Sequence, residues 1–502
     1  MAILLRLNSF FQAVLLLIIS SIFLRLVLWR IWRCKNLPPG PPTWPIVGNL
    51  LQIGFARGDL HSSVKKFHER YGTIFTMWVG PHPLLMIASR ELAHEALIQK
   101  GSLFSDRPPA RGMQKIFTSN QHSISSAPYG PLWRSLRRNL VSEALSPSAM
   151  KAFGEVREWG IGRLVENLKN EAARNGGVVS VVEHFRNAVF CILLWMCFGI
   201  KPDEQTVISM QDVTREVLLN GGGLDEALPI LGFFDRRRRA RREEIRRRQQ
   251  KTLLALINQR RDAPPPAGGA YVDTLFNLRV DGGRSLNDDE LVTLSFEFIT
   301  GGTDTTTTSL QWLMANLVMR QDIQTRLHDE IASVTGKGKV AEENDLQRMP
   351  YLDAVVKETL RRHPATHFVV SHAVTRPCEL AGYKVPADAS INFYVAAIGM
   401  DPTVWPSPSE FKPERFVDEG VEVDLTGTKE IKMMPFGAGR RVCPGLGMAM
   451  LHLNIIVARL VQEFTWECKP GETVDLSETQ EFTTVMKYPL QAIIKERERI
   501  HN

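Results

Sequence analysis

The amino-acid sequence predicts a mainly α domain with small peripheral β-sheets behind an N-terminal transmembrane helix. Three observations carry that expectation. Apolar residues recur with helical spacing through most of the chain between 90 and 362. Strand-like runs are few and short and fall outside that stretch. Residues 7–24 form an uncharged, mainly apolar run close to the ~20 residues that cross a bilayer.

Apolar character continues beyond 24, broken by Arg25, as far as Trp32. Arg25, Arg30, Arg33 and Lys35 outweigh Arg6, so the positive-inside rule places the rest of the chain on the cytoplasmic side. A cleaved signal is disfavoured by the long apolar core, the missing small-x-small site and the basic residues on the far side. Leu37-Pro-Pro-Gly-Pro-Pro42 then fixes a stiff, extended connector. Residues 1–36 are therefore expected to be a membrane anchor, 37–42 a proline-rich hinge, and 43–502 one large domain, since no composition break comes after the hinge. Two short strands, 74–78 and 84–87, are separated by the turn residues Gly80, Pro81 and Pro83. Helical patterns succeed them over 90–97, 131–143, 150–173, 179–197, 204–219, 236–262, 287–319, 321–334 and 351–362, with a further apolar helical pattern over 446–460. Strand-like runs return at 368–373, 379–380, 391–394 and near the C-terminus, and 262–269 reads as a Pro/Gly surface loop.

Composition narrows the class. A hydrophobic fraction of 44% is ordinary for a packed globular chain of 502 residues. Six scattered cysteines (34, 191, 197, 378, 443 and 468) make neither a disulfide framework nor a zinc spacing, and suit a reducing compartment. Much of the net charge of +7 comes from the arginine run at 236–248. That run lacks interleaved aromatics and merges into a helical pattern, so a solvated helix face is expected and nucleic acid is not a partner. The apolar stretch 224–234 just ahead of it has the pattern of a membrane-touching loop.

The most informative segment is Phe436-Gly-Ala-Gly-Arg-Arg-Val-Cys443-Pro-Gly445. A single cysteine after a Gly-rich, arginine-bearing loop and before a helix suits a thiolate metal ligand. Gly439 permits a sharp turn, and amide N–H groups at the helix start stabilise negative charge. Arg441 is placed to meet an anion. The segment resembles the haem-binding loop of cytochromes P450, Phe-x-x-Gly-x-Arg-x-Cys-x-Gly, with Phe436, Gly439, Arg441, Cys443 and Gly445 in the matching places. The resemblance extends to the hinge and to the chain after residue 37, and implies the P450 fold with haem b held by Cys443.

Three more constellations fit that resemblance. Glu358 and Arg361 lie three apart on one helical face, where a surface ion pair is the plain reading. The resemblance instead implies a buried structural network of both with Arg415. Gly301-Gly-Thr-Asp304-Thr305-Thr306 is a locally unfavourable run inside a long apolar helix, where a threonine can bond back to a carbonyl and open the ladder. By resemblance Gly301 and Gly302 pass over the haem, and Asp304 and Thr305 deliver protons. Trp133 and Arg137 share a helical face and offer an indole N–H and a guanidinium to one carboxylate. The resemblance makes that carboxylate a haem propionate, with Arg441 and His372 assisting.

The same resemblance implies a monooxygenase of the endoplasmic-reticulum membrane, single-pass with its catalytic domain cytosolic. It would take electrons from NADPH through NADPH–cytochrome P450 reductase, with Arg440 able to steer an acidic partner. Its partners would be the reductase, membrane lipid and a lipophilic small molecule. An apolar pocket is expected from 113–124, 296–300, 368–370 and 482–485. The phrases Phe104-Ser-Asp-Arg-Pro-Pro109 and Lys432-Met-Met-Pro-Phe-Gly437 are similar to plant members. The 236–248 run, Tyr271-Val-Asp-Thr-Leu-Phe276 and Glu481-Phe-Thr-Thr-Val-Met-Lys487 resemble the plant family that hydroxylates and epoxidises fatty acids in-chain for cutin. An aromatic or phenylpropanoid substrate is the alternative. Two rival classes stand beside it: a hydroperoxide isomerase needing no reductase, against which Asp304 and Thr305 weigh, and a membrane-tethered haem or arginine-rich binding protein without catalysis.

Overall fold

The longest helix, Asp288–Met319, organises the molecule. Asn287 and Glu290 close a capping box at its start, the Asn287 side chain accepting from Glu290 N and the Glu290 carboxylate from Asn287 N. From Leu310 to Val318 every residue is buried, so this half is a core helix with no solvated face. It packs chiefly on Val181–Phe198 and also on Leu446–Glu463. The helix Val181–Phe198 is long and apolar enough to cross a bilayer, but 67% of it is buried inside the domain. It stops at Gly199, whose left-handed φ of 66° lets its N–H reach Trp195 O.

This computed structural model describes residues 36–497 apart from 45, 54–59, 220–235, 265–268 and 337, with single positions between 12 and 28. The expected membrane-touching loop at 224–234 lies outside the described residues, as does most of the expected anchor. Where the anchor segment is described it is helical, and Leu16, Leu17, Leu24 and Leu28 are exposed.

Strands are peripheral. Ile74–Val79 pairs antiparallel with His82–Ile87, which pairs parallel with Ser390–Phe393, and His372–Ala373 closes the sheet. A second sheet orders Phe464–Glu467, Gln491–Glu496 and Val178–Ser180. The hairpin Glu478–Gln480/Thr484–Met486 stands apart.

Several expected elements take a different form. The 368–373 run shrinks to His372–Ala373, because Val370 O and Ser371 O are taken by the Arg107 guanidinium instead of a neighbouring strand. The 150–173 pattern divides at Phe153 into Pro147–Ala152 and Gly154–Arg174, with Ser146 capping the first. Residues 178–180 pair as a strand before their helix begins. The helix Leu60–Tyr71 is not apparent in the sequence, since Val64 is its single fully buried residue. The arginine run is only partly a solvated face. Arg236–Arg241 are exposed, whereas Arg242, Arg246 and Arg260 turn inward, Arg246 pairing with Asp289 at 2.5 Å. A 26-residue helix lying against the long one must bury one side whatever its composition.

The hinge is pinned. Pro39 O accepts from Thr76 N at 2.8 Å, Asn36 O accepts from Lys384 N at 3.0 Å, and a Cβ on Gly40 would lie 1.9 Å from Thr76 O.

Candidate active site

Cys443 occupies the turn between a short 3-10 segment, Gly439–Arg441, and the helix Leu446–Glu463. Its N–H donates to Phe436 O at 2.8 Å, closing the loop on itself. Gly439 has a φ of +70°, and a Cβ there would sit 2.2 Å from Leu97 O, so only glycine lets this loop lie against the 95–99 turn. The thiol is free. Burial pushes it up, while the Gly445 N–H and the Arg137 charge act the other way.

The glycine step of the long helix faces this loop. A Cβ on Gly445 would be 3.8 Å from Cys443 Sγ and 3.8 Å from Met448 Cε. A Cβ on Gly302 would be 3.5 Å from that same Met448 Cε and 2.8 Å from Leu193 Cδ1. Met448 thus touches both sides. Gly301 has open space where a side chain would stand. Thr305 Oγ1 donates to Gly301 O at 2.8 Å, so the hydroxyl and that carbonyl share the open face. The helix nevertheless runs unbroken from Asp288 to Met319, because the back-bond shares the carbonyl without displacing the backbone N–H.

Asp304 is turned a quarter-circle away from Thr305 and the structure does not join them. Its carboxylate pairs with Arg186 Nε on the Val181–Phe198 helix at 3.4 Å. Burial pushes Asp304 up, with Arg186 opposing and Glu481 and Glu183 adding to the rise. Arg186 also holds Glu183 at 2.8 Å.

Cationic and N–H donors collect on one side of the cysteine loop. Trp133 is buried and its Nε1–H has no hydrogen-bond partner among the described residues. Arg441 stacks over the Trp133 ring at 4.4 Å and donates to Ser105 O, Ile124 O and Ala127 O. Arg137 donates to Val442 O at 2.7 Å, next to the cysteine. Arg107, whose role the sequence did not disclose, donates to Ser125 O, Val370 O and Ser371 O. Burial lowers Arg107 to about 9 and Arg441 to about 10, and each guanidinium suffers from a like-charged neighbour. His372 is buried beside them, Nδ1 to Phe104 O at 2.7 Å, and burial with the charges of Arg107 and Arg441 lowers it to about 3. The hydrogen bonds of these three arginines go to backbone carbonyls among the described residues. Buried positive charge with an unused indole N–H is a donor set shaped for an anion. Together with the free Cys443 thiol, this donor set fits a haem, which carries anionic carboxylates and takes a thiolate ligand.

Glu358, Arg361 and Arg415 form a separate buried cluster. Glu358 takes Arg361 Nε at 2.7 Å, Arg361 Nη2 at 2.8 Å, Lys412 N at 2.9 Å and Arg415 Nε at 3.4 Å. Arg361 and Arg415 spend their remaining donors on carbonyls of 399 and 406–410.

The expected pocket lining is mixed. Val370 and Phe482 are exposed at 59% and 52%, whereas Phe296 and Ile299 belong to the core. Glu297 accepts from Ile124 N and Ser125 N and fixes the 113–124 loop. In that loop Ser119, Asn120 and Gln121 all have positive φ, an arrangement held by Ser119 Oγ on Asp289. Glu297, Met448 and Arg186 carried no sequence signal. Arg107 had one, an arginine wedged between an acid and two prolines.

Residues 38–495 match the family model described as Cytochrome P450. The chain is 41% identical to Cytochrome P450 89A9 of Arabidopsis thaliana, over 97% of this chain and 99% of that one. It is 31% identical to an isoflavone 3'-hydroxylase of Medicago truncatula, over 92% and 93%. A zebrafish cytochrome P450 solved with progesterone superposes with a TM-score of 0.72 at 24% identity, over 86% of this chain and 97% of that one.

Proposed function

Because this chain belongs to the cytochrome P450 family, a haem monooxygenase fed with electrons from NADPH by a reductase, we infer that Cys443 is its iron ligand and that it oxidises an aromatic lipophilic molecule. The observation that carries the site is the free Cys443 sulfur beside Gly445, with Met448 lying between that glycine and Gly302 of the long helix. When bound, haem supplies oxygen activation and insertion of one oxygen atom into a C–H bond or double bond. The protein's own groups do the rest.

Trp133 Nε1–H, Arg137 and Arg441 would hold the propionates, with His372 and Arg107 nearby. Phe436 and Gly439 fix the cysteine loop. Thr305 Oγ1 holds a proton over the Gly301 carbonyl, ready to pass it toward the open face. Asp304, paired with Arg186 on the neighbouring side of the helix, supplies the acid of this region. Glu358, Arg361 and Arg415 brace the segment leading to the cysteine loop and touch no reactant.

Two supports bear on substrate. Val370 and Phe482, on two of the segments expected to line the pocket, are exposed apolar side chains that suit a lipophilic molecule. The isoflavone 3'-hydroxylase adds a relative named for an aromatic substrate. In-chain oxidation of fatty acids is the second reading, resting on 236–248, 271–276 and 481–487. Residues 1–36 anchor the protein in the endoplasmic-reticulum membrane with the hinge at 37–42 and the domain 43–502 in the cytosol. The exposed leucines of the anchor segment support this. Exposed Arg440, lying over the Tyr129 ring at 5.4 Å, serves the reductase face.

Microsomes supplied with reductase and NADPH decide the substrate class. Oxidised products are expected from flavonoid-like and phenylpropanoid compounds, and turnover of fatty acids alone would overturn the aromatic reading. Cys443→His is expected to abolish the red-shifted ferrous–CO band of thiolate-bound haem. Persistence of that band would overturn the ligand assignment.

A further inference from the structure

On the opposite border of the pocket-lining hairpin, His61, His367 and Glu478 converge. His61 lies on the helix Leu60–Tyr71, His367 comes after the helix Pro350–Arg362, and Glu478 begins the hairpin Glu478–Gln480/Thr484–Met486. Among the described residues this is the one group of three His, Cys, Asp or Glu ligand atoms gathered within 4.8 Å of one another. His61 Nδ1 and His367 Nε2 each stand 3.2 Å from Glu478 Oε1. Two ligands on a tetrahedral ion at ~2.05 Å are about 3.3 Å apart, so both measured edges already have the spacing of a coordination sphere. The third edge closes by rotation of His61, the more exposed of the two rings.

Two surroundings fit a metal centre. Tyr394 Oη meets the other ring nitrogen of His61 at 2.7 Å, a second contact that orients a ligating imidazole. His367 is buried while the Glu478 side chain is 37% exposed, so one side is rigid and the other open for entry. We propose that His61, His367 and Glu478 bind one divalent transition-metal ion of the zinc class, distinct from the Cys443 site. Two imidazoles and a carboxylate select that class over calcium or magnesium, and solvent takes the fourth position. The ion joins three segments remote in sequence. It also sets the hairpin whose tip carries Phe482 and whose Thr483 Oγ1 meets Thr308 Oγ1 of the long helix at 2.8 Å.

The test uses full-length haem-loaded protein in detergent, stripped with chelator and titrated with zinc. One equivalent is expected per chain, with two imidazole nitrogens and oxygen at ~2.0–2.1 Å by zinc-edge X-ray absorption. Glu478→Gln should weaken binding by at least about tenfold, and Tyr394→Phe by about tenfold, with haem spectra unchanged. No uptake by the wild type means that the cluster is only hydrogen-bonded and overturns the proposal. So does equal uptake by Glu478→Gln, or sulfur in the zinc shell. The absorption measurement needs no variant, so it stands even if a substitution impairs folding. None of these readouts depends on the substrate.

Discussion

Replacing Glu358 by Gln strips the charge from a carboxylate that is wholly buried and serves two buried guanidiniums. Oε1 receives three donors (Arg361 Nη2, Lys412 N and Arg415 Nε), and Oε2 receives Arg361 Nε. Glutamine can keep its oxygen at the three-donor corner, but its NH2 then faces Arg361 Nε, donor against donor. One charge-assisted bond is lost, about 1.5–3 kcal/mol, and two guanidiniums keep their desolvation with no counter-charge. Breaking a buried pair in this way costs about 3–5 kcal/mol, a large part of the ~5–15 kcal/mol that holds a domain folded. The expected result is a urea midpoint far below wild type, tracked by loss of haem absorbance and by tryptophan fluorescence, with an unaltered slope. Lys412→Ala, which removes an exposed pair with Glu419 and spares the Lys412 backbone N–H, should leave the midpoint in place. A Glu358→Gln shift under about 0.5 kcal/mol, the range of ordinary surface changes, would refute the claim that the cluster braces the fold.

The geometry sets three further outcomes. Thr305→Ala removes the hydroxyl over Gly301 O and should lower product formed per NADPH roughly 100-fold, the low end of a positioned acid's contribution, with peroxide made instead; unchanged coupling would place the proton path elsewhere. Trp133→Phe removes the unused indole N–H and should speed haem transfer to an acceptor protein about 10- to 100-fold, the worth of one hydrogen bond to a charged group; an unchanged rate would mean that the indole meets no propionate. Burial pushes Glu290 up, but hydrogen bonds from Arg284, Asn287 N and His122 outweigh it and hold the carboxyl below its ordinary range. A depressed carboxyl stabilises the fold fully above the unfolded value of about 4.3 and loses that contribution as pH falls through the folded one. Stability measured between about pH 6 and pH 3 should therefore fall less steeply in Glu290→Gln than in wild type; identical slopes would remove Glu290 from the acid response.

Much of the fold was legible because period and length agree in its helices. The helix Glu204–Leu219 coincides with its apolar pattern, and Asp288–Met319 begins where the Asn287 cap ends the preceding loop. The helix Leu60–Tyr71 was hidden because it buries little and so writes no stripe into the sequence. Within the candidate site, contacts that follow local spacing were readable: Glu358 with Arg361 and Thr305 with Gly301. Those that meet across the fold were not. Arg107 reaches the 370–371 carbonyls from more than 260 positions away, and Arg186 meets Asp304 from another helix. Periodicity reports which side of a helix is buried. It does not report what the buried polar groups touch there, and so Arg242 and Arg246 looked like surface.

The pinned residues 36–40 would change how the proposed membrane tether acts. With Asn36 O on the 383–385 strand of a two-stranded sheet and Pro39 O on the 74–79 strand of the four-stranded one, residues 36–39 are bonded to two sheets. A loose cord would let the body swing over the bilayer and sample every tilt. A segment bonded into two sheets removes that freedom at residues 36–40 and sets the direction in which the chain leaves the domain. Gly40, pressed against Thr76 O with no space for a side chain, is the joint at which that setting is fixed.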